Sequence, residues 1–356
     1  MRKEHLEKVC RNMEAAGLSQ IVVTSPISIF YLTGRLIHPG ERLVALIVKA
    51  NGDVRLIANR LFAQRPLEGA SLIEYSDTDD SAQVLSSAAD SGVLGVDKDL
   101  TCRFLLPLMD LRRDLRFVNG SPCVDRARML KTEAELAVMA ESSRINDEAL
   151  KKTLSAIREP LTEKQLADEY RKNILLCGGS GESFDSLICF GPNCAEPHHD
   201  TDDTPLRPGD SIILDVGLKY ESYCSDMTRT VFFGRPTEEQ KRVYDLVKAA
   251  NAAGRAAVRP GVPLKEVDAA ARKVIEDAGY GKYFIHRTGH GIGLEVHEFP
   301  DVSAASDAVC EPGMVFSVEP GIYLPGKFGV RVEDLVAVTD AGSMTLNRLD
   351  RELASV

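Results

Sequence analysis

ILDVGLKYESYCSDMTRT, residues 213–230, sets Asp215 inside an apolar, strand-like run and returns a second aspartate, Asp226, on the far side of a hairpin. A carboxylate buried without a partner costs several kcal/mol, so this stretch requires compensation from elsewhere in the chain. With Tyr220-Glu221 as the tip, Asp215 and Asp226 stand directly opposite each other, a geometry that brings Cβ atoms to about 4.5–5.5 Å. Two carboxylates that close either share one proton at a raised pKa or hold a divalent cation between them.

Further donors follow on later runs of strand character. HRTGHGIGLEVHEFP (286–300) holds His290 in a glycine-flanked loop and His297 seven residues on, VFSVEPGIY (315–323) holds Glu319, and FGVRVEDLVAV (328–338) holds Glu333 beside Arg331. Two aspartates, two glutamates and one histidine make a hard, mostly oxygen donor set that suits manganese, iron, cobalt or zinc better than a thiolate-preferring metal. Four carboxylates are neutralised by two divalent ions and not by one, so two metals are expected. Rival motifs fail on spacing. HEFPD lacks the second histidine of a helical zinc-protease motif, and Pro300 would break such a helix. GGSGE (178–182) is not a nucleophile elbow, because the second glycine comes one residue early. The chain contains neither GxGxxG nor GxxxxGK[ST].

Bulk properties narrow the class. At 356 residues the chain exceeds the roughly 250–300 residues at which single cores stop growing, so two domains are expected. A net charge of −10 with no Lys/Arg cluster argues against nucleic acid as a partner. No run of about 18 apolar residues is present to span a membrane, and MRKEHLEKVCRNMEAAGL (1–18) lacks the apolar core of a signal peptide. Eight scattered cysteines without a CxxC pair read as reduced thiols of a cytoplasmic protein.

The first third alternates strand and helix signals: IVVTS, then LVALIVKANGDVRLIA with an Asn51-Gly52 turn, then GVLGVD. This predicts a small α/β domain over 1–122, leaving 123–356 for the domain that carries the donors. The second region repeats a pattern. REPLTEKQLADEYRKNILLCGG (from Arg158) and RPGVPLKEVDAAARKVIEDAGYG (from Arg259) each follow a long helix, turn at a proline, form a helix and give way to β-like runs. Thr162 with Gln165, and Thr237 with Gln240, have capping-box spacing. A duplicated α-β unit predicts one curved sheet with helices outside it.

SFDSLICFGPNCAEPHHD (183–200), LDVGLKYESYCSDMTRTVFFG (214–234), GHGIGLEVHE (289–298), PGMVFSVEPGIY (312–323) and VRVEDLVAV (330–338) resemble, in order and spacing, the motifs of the Xaa-Pro dipeptidase (prolidase) and Xaa-Pro aminopeptidase branch of the pita-bread metallopeptidases. The resemblance implies an N-terminal creatinase-type α/β domain and a C-terminal pita-bread α+β domain with pseudo-twofold symmetry, assembled as a homodimer. It implies that Asp215 binds one metal, that His290 and Glu319 bind the other, and that Asp226 and Glu333 bridge them. Manganese comes first among the candidate metals, with cobalt, zinc or iron as alternatives. A metal-bridging hydroxide would be the nucleophile, Glu319 would shuttle the proton to the leaving nitrogen, and His198 and His297 would hold substrate and steady the oxyanion. Arg331 would support the ligands from behind. The implied substrate is a small peptide with proline at its second position. Alternatives are a pita-bread hydrolase acting on another small amide, or a catalytically silent pita-bread binding protein. The interval from His297 to Glu319 holds neither Arg nor Lys to meet a dipeptide's carboxylate, so tripeptides are expected to be cleaved at least as well as dipeptides.

Overall fold

The computed structural model describes residues 1–356 and divides into two compact units, Met1–Arg128 and Met129–Val356. In the first, strands β1 (Gln20–Val23), β2 (Ala45–Lys49), β3 (Val54–Asn59), β4 (Ser71–Tyr75), β5 (Gly92–Val96) and β6 (Leu115–Asn119) form one sheet in the order β4-β3-β2-β1-β5-β6. Its helices are α1 (Lys3–Ala15), α2 (Pro26–Thr33), α3 (Ser81–Ala88), α4 (Cys102–Leu111) and α5 (Ser121–Met129). The Asn51-Gly52 turn joins β2 to β3 antiparallel, with Gly52 at φ 88°. One face of the sheet packs Val22, Ala45, Ile47 and Ile57 against Leu85 and Ala88 of α3 and Leu108 of α4. The mixture of parallel and antiparallel pairs with helices between strands is the α/β layout expected of the N-terminal domain.

The second unit runs one pattern twice. Its first half holds α6 (Glu133–Leu154), α7 (Glu163–Cys177), β7 (Leu187–Phe190), β8 (Ser211–Val216), the short pair β9 (Lys219–Tyr220) and β10 (Tyr223–Cys224), and β11 (Met227–Phe232). The second half holds α8 (Glu238–Ala257), α9 (Leu264–Asp277), β12 (Gly289–Gly291), β13 (Glu298–Val302), β14 (Val315–Val318), β15 (Gly321–Leu324), β16 (Phe328–Arg331), β17 (Asp334–Thr339) and β18 (Gly342–Thr345). Reciprocal capping boxes start α6 at Thr132, α7 at Thr162 and α8 at Thr237, each satisfying two backbone donors of its helix's first turn.

The halves do not form the single continuous sheet expected from the repeat. The first is the ladder β11-β8-β7, and the second is β13-β12-β14-β17-β18 with a separate β15-β16 ribbon. At the seam the Glu333 N–H donates to the Thr228 carbonyl at 3.1 Å, and the Thr230 hydroxyl donates to the Arg331 carbonyl at 2.8 Å. Alternation decides which side chains reach that seam. Ile212, Leu214 and Val216 of β8 pack with Leu166 and Tyr170 of α7, so Asp215 points to the other face. Phe316 and Val318 of β14 pack with Leu264 and Val267 of α9, which turns Ser317 and Glu319 away from the helices. Val330 and Val332 pack against Val243, Tyr244 and Val247 of α8, which does the same for Arg331 and Glu333. Both helical layers therefore direct polar residues into one cavity. No helix is long and apolar enough to cross a membrane.

Candidate active site

The hairpin register differs from the sequence reading. Tyr220 pairs with Tyr223, and Asp215 pairs with Thr228 rather than with Asp226. The tip is Glu221-Ser222, with φ of 46° and 73°, because two successive left-handed residues match the twist of the flanking strands. No Asn-Gly pair marks that position in the sequence. Moving the tip by one residue slides the partner by two, which preserves the face. Asp215 and Asp226 are thus diagonal neighbours on one face, a relation that still leaves side chains about 7–8 Å apart at their base within reach of each other.

A cavity of about 480 Å³ is lined by Asp215, Asp226, His290, Glu319 and Glu333 together with His198, His297 and Arg331. Every residue singled out in the sequence is therefore brought to one place. Ligand atoms of Asp226, His290 and Glu333 lie within 4.8 Å of one another, and Glu319 Oε1 is 3.4 Å from His290 Nε2. The His290 backbone needs glycine on both sides. A Cβ at Gly289 would run into the Ser317 carbonyl, and one at Gly291 into that of Phe299.

Three of the four carboxylates have a buried oxygen with no partner. Asp215 Oδ2 accepts from Arg331 Nη2 at 2.6 Å and Glu333 Oε2 accepts from the Thr228 hydroxyl at 2.7 Å. Asp215 Oδ1, Asp226 Oδ1 and Glu333 Oε1 are buried without a hydrogen-bond partner, a state that costs about 1–3 kcal/mol per atom or more for charged groups. Burial, with the neighbouring His297, lowers the His290 pKa to about 3, so its imidazole is neutral. Its Nδ1 faces the Gly291 carbonyl at 3.1 Å, which places the proton there and turns the Nε2 lone pair towards Asp226 Oδ2, 3.8 Å away, and Glu319 Oε1. Acceptors facing acceptors need a proton or a metal cation between them. Without metal, burial and the charge of Glu333 push Asp226 well above the carboxylate range, and burial with the charge of Glu319 does the same to Glu333. Burial raises Glu319 to about 7 against the pull of Arg331. The donors present fit divalent metal: carboxylate oxygens, a neutral imidazole, and excess negative charge.

Arg331 is buried and committed. Besides Asp215 it donates to the Thr228 hydroxyl at 3.1 Å and to the Tyr323 hydroxyl at 2.9 Å. Burial alone would lower its pKa, but Tyr323, Asp215 and Glu319 outweigh that and hold it well above its usual value. Tyr323 in turn meets His286 Nε2 at 2.8 Å, and His286 Nδ1 meets the Arg287 carbonyl at 2.7 Å. Burial, reinforced by Arg331, keeps His286 neutral with a pKa of about 4, so Tyr323 donates to it. Sequence reasoning missed His286, Arg287, Tyr323 and Thr228. His286 and Arg287 stand in the same quoted run as His290, and alternation from Asp226 placed Thr228 on the ligand face. His297 packs edge-on to His290 with ring centroids 4.2 Å apart, and burial and Arg287 lower its pKa.

The chain belongs to metallopeptidase family M24, whose model matches residues 137–340, and the creatinase/prolidase N-terminal domain matches residues 5–130. It is 35% identical over 350 residues to an uncharacterized peptidase of Staphylococcus saprophyticus, covering 97% of this chain and 99% of that one. Among solved structures it is similar to a prolidase from Thermococcus sibiricus at 35% identity and a TM-score of 0.94, over 100% of this chain and 99% of that one. A dipeptidase from Pyrococcus horikoshii gives 34% identity and a TM-score of 0.93, over 99% of this chain and all of that one. The fold is thus a creatinase-type N-terminal domain followed by a pita-bread catalytic domain, and the chain is a metallopeptidase.

Proposed function

We propose that the chain hydrolyses the bond between an N-terminal residue and proline in short peptides, with two divalent metal ions in the cavity. The observation that carries this reading is the set of partnerless oxygens on Asp215, Asp226 and Glu333 in a cavity that a neutral His290 also lines. Asp215 would help hold one ion and His290 and Glu319 the other, with Asp226 and Glu333 as donors that would be shared between them; manganese, cobalt, zinc or iron suits this donor set. When bound, such a pair supplies Lewis-acid polarisation of the scissile carbonyl and a water whose pKa is brought towards neutrality.

The remaining work falls to the chain itself. Arg331 orients Asp215 through the 2.6 Å bond and is itself aimed by Tyr323 and Thr228. Glu319, steadied by the Ser317 hydroxyl at 3.1 Å, passes a proton to the leaving proline nitrogen. His198 and His297 line the cavity and donate to the carbonyl oxygen as charge develops there. The preference for proline rests on similarity to the prolidase structure. Arg287 also lines the cavity, so a cation absent from the His297–Glu319 interval reaches the cleft from the segment before His290. This changes the expectation on length: the cleft can meet a dipeptide's carboxylate, and dipeptides are substrates. The same proposal includes a cytoplasmic homodimer, the latter read out by sedimentation.

The test is to strip the protein with a chelator, titrate metal back, and assay Ala-Pro, Ala-Pro-Ala and Ala-Ala. Activity should vanish on stripping, return at two equivalents of metal per chain, and favour the proline substrates. Turnover that persists in stripped protein, saturation at one equivalent, or equal cleavage of Ala-Ala would each defeat a part of the reading.

A further inference from the structure

Glu163 is the first residue of α7, and its side chain is completely buried. Oε1 accepts from the Phe190 N–H at 2.7 Å and from Asn193 Nδ2 at 2.9 Å. Oε2 accepts from His199 Nε2 and from the Asp202 N–H, both at 3.0 Å. One carboxylate thus ties a helix N-terminus to both ends of the segment 190–202, which turns through a short helical stretch at Gly191–Ala195 and then carries Pro197 and His198 to the cavity wall. His198 is exposed there, whereas the adjacent His199 is drawn into the protein by Glu163. Glu163, His199 and Asp202 also have the composition of a cation site. Both Glu163 oxygens, however, already accept two N–H donors each, and the His199 nitrogen is one of them, so the cluster is complete as a clamp.

We infer that Glu163 is a positioning residue for the reaction: by gripping His199 and the amides of Phe190 and Asp202 it fixes the loop that presents His198 to the substrate. The inference rests on His198 acting in the reaction. The physical basis is that a charge-assisted bond is roughly twice as strong as a neutral one, and that a misplacement of about 1 Å at a reacting centre can cost about a hundredfold in rate. Glu163→Gln keeps the size of the side chain but turns an amide donor towards donors, either at His199 and Asp202 or at Phe190 and Asn193. His199→Ala removes one strand of the clamp, while His199→Gln retains an amide N–H able to donate to Glu163.

The experiment is a double-mutant cycle on metal-loaded full-length protein, with metal content and thermal midpoint measured for every variant. His198→Ala should lower kcat by about a hundred- to a thousandfold, the cost of one oxyanion donor, with its metals kept. Glu163→Gln should lower kcat by at least about tenfold with KM for Ala-Pro changed less than twofold, and should lower it less than twofold further in the His198→Ala background. His199→Gln should retain most of the rate that His199→Ala loses, which keeps the inference testable if Glu163→Gln folds poorly. Equal losses from Glu163→Gln in both backgrounds, or His199→Ala at full rate, would overturn the role of Glu163. A near-normal His198→Ala variant would instead remove His198 from the reaction.

Discussion

Glu333 and Asp334 are neighbours in sequence, both buried, and their charges are handled in opposite ways. Asp334 accepts a bidentate contact from Arg351, at 2.6 and 2.7 Å, and a further bond from Arg229 at 2.8 Å. Glu333 on the other face has one hydroxyl donor and one oxygen with none. The two regions are mechanically joined, since Arg229 also donates to the Glu333 carbonyl at 2.6 Å. The contrast teaches what separates a structural charge from a functional one. Around Asp334 the chain supplies its own counter-ions, and around Glu333 it withholds them, leaving an electrostatic deficit of the sign and size that divalent metal fills.

Substituting each neighbour should therefore act on different quantities. Glu333→Gln removes a charge proposed to be shared between the metals and should lower kcat/KM by more than about a thousandfold, since metal polarisation is worth several kcal/mol, with metal content falling in parallel. Retained metal and turnover within tenfold of the parent would erase the distinction between the two residues. Asp334→Asn leaves the buried Arg229 and the half-buried Arg351 facing a neutral group and should cost about 3–5 kcal/mol of stability, read from the denaturant midpoint. The folded fraction should still bind its metals. If Asp334→Asn instead lost metal without losing stability, the arginine cluster would belong to the metal centre.

The pH dependence of the metal-free protein sharpens the same point. Glu319 has its folded pKa raised from 4.5 to about 7, and those of Asp226 and Glu333 are raised as well. A carboxylate with a raised folded pKa binds its proton more tightly in the native state. Its contribution to stability is full below the unfolded pKa and is lost as pH rises through the folded one. Stripped protein should accordingly lose stability between about pH 4.5 and 7 and beyond, and added metal should restore it. In stripped protein at pH 8, Glu333→Gln should raise the denaturant midpoint, opposite in sign to Asp334→Asn. A flat profile between pH 5 and 8 in stripped protein, or a lowered midpoint for Glu333→Gln, would contradict the charge deficit.

The smallest effect concerns Arg287. Its guanidinium pairs with Asp301 while lining the cavity, a partly exposed arrangement in which one charge contact is worth about 1 kcal/mol. Arg287→Ala should reduce kcat/KM for Ala-Pro by about fivefold and that for Ala-Pro-Ala much less. Equal reductions for both peptides would mean that Arg287 does not read the substrate carboxylate.

Much of this was legible along the chain. Periodicity and capping spacing located α7 and α8, the Asn51-Gly52 turn located the β2–β3 hairpin, apolar runs interrupted by acids marked Asp215, Glu319 and Glu333, and the hairpin opposite Asp215 marked Asp226. Local chemistry is sufficient there because an acid inside a strand is anomalous wherever that strand packs. The hairpin tip was misplaced by one residue, since Glu221 and Ser222 carry no strong signal for left-handed backbone and the choice was settled by strand twist. Arg287 was absent from the sequence reading because its relation to the cleft depends on how β12 meets β14, and that contact spans residues far apart in the chain.

Sequence by itself determined the family, the two-domain order, the donor types and the faces they occupy, because alternation and residue chemistry are properties of short segments. Only the tertiary structure decided which oxygens remain without partners. It also showed that Arg331 is spent on Asp215, Thr228 and Tyr323, and that Glu163 holds the loop bearing His198. Hydrogen-bond satisfaction is a three-dimensional count: whether a carboxylate is a clamp or a ligand depends on donors contributed by segments tens to more than a hundred residues away, and no local pattern records them.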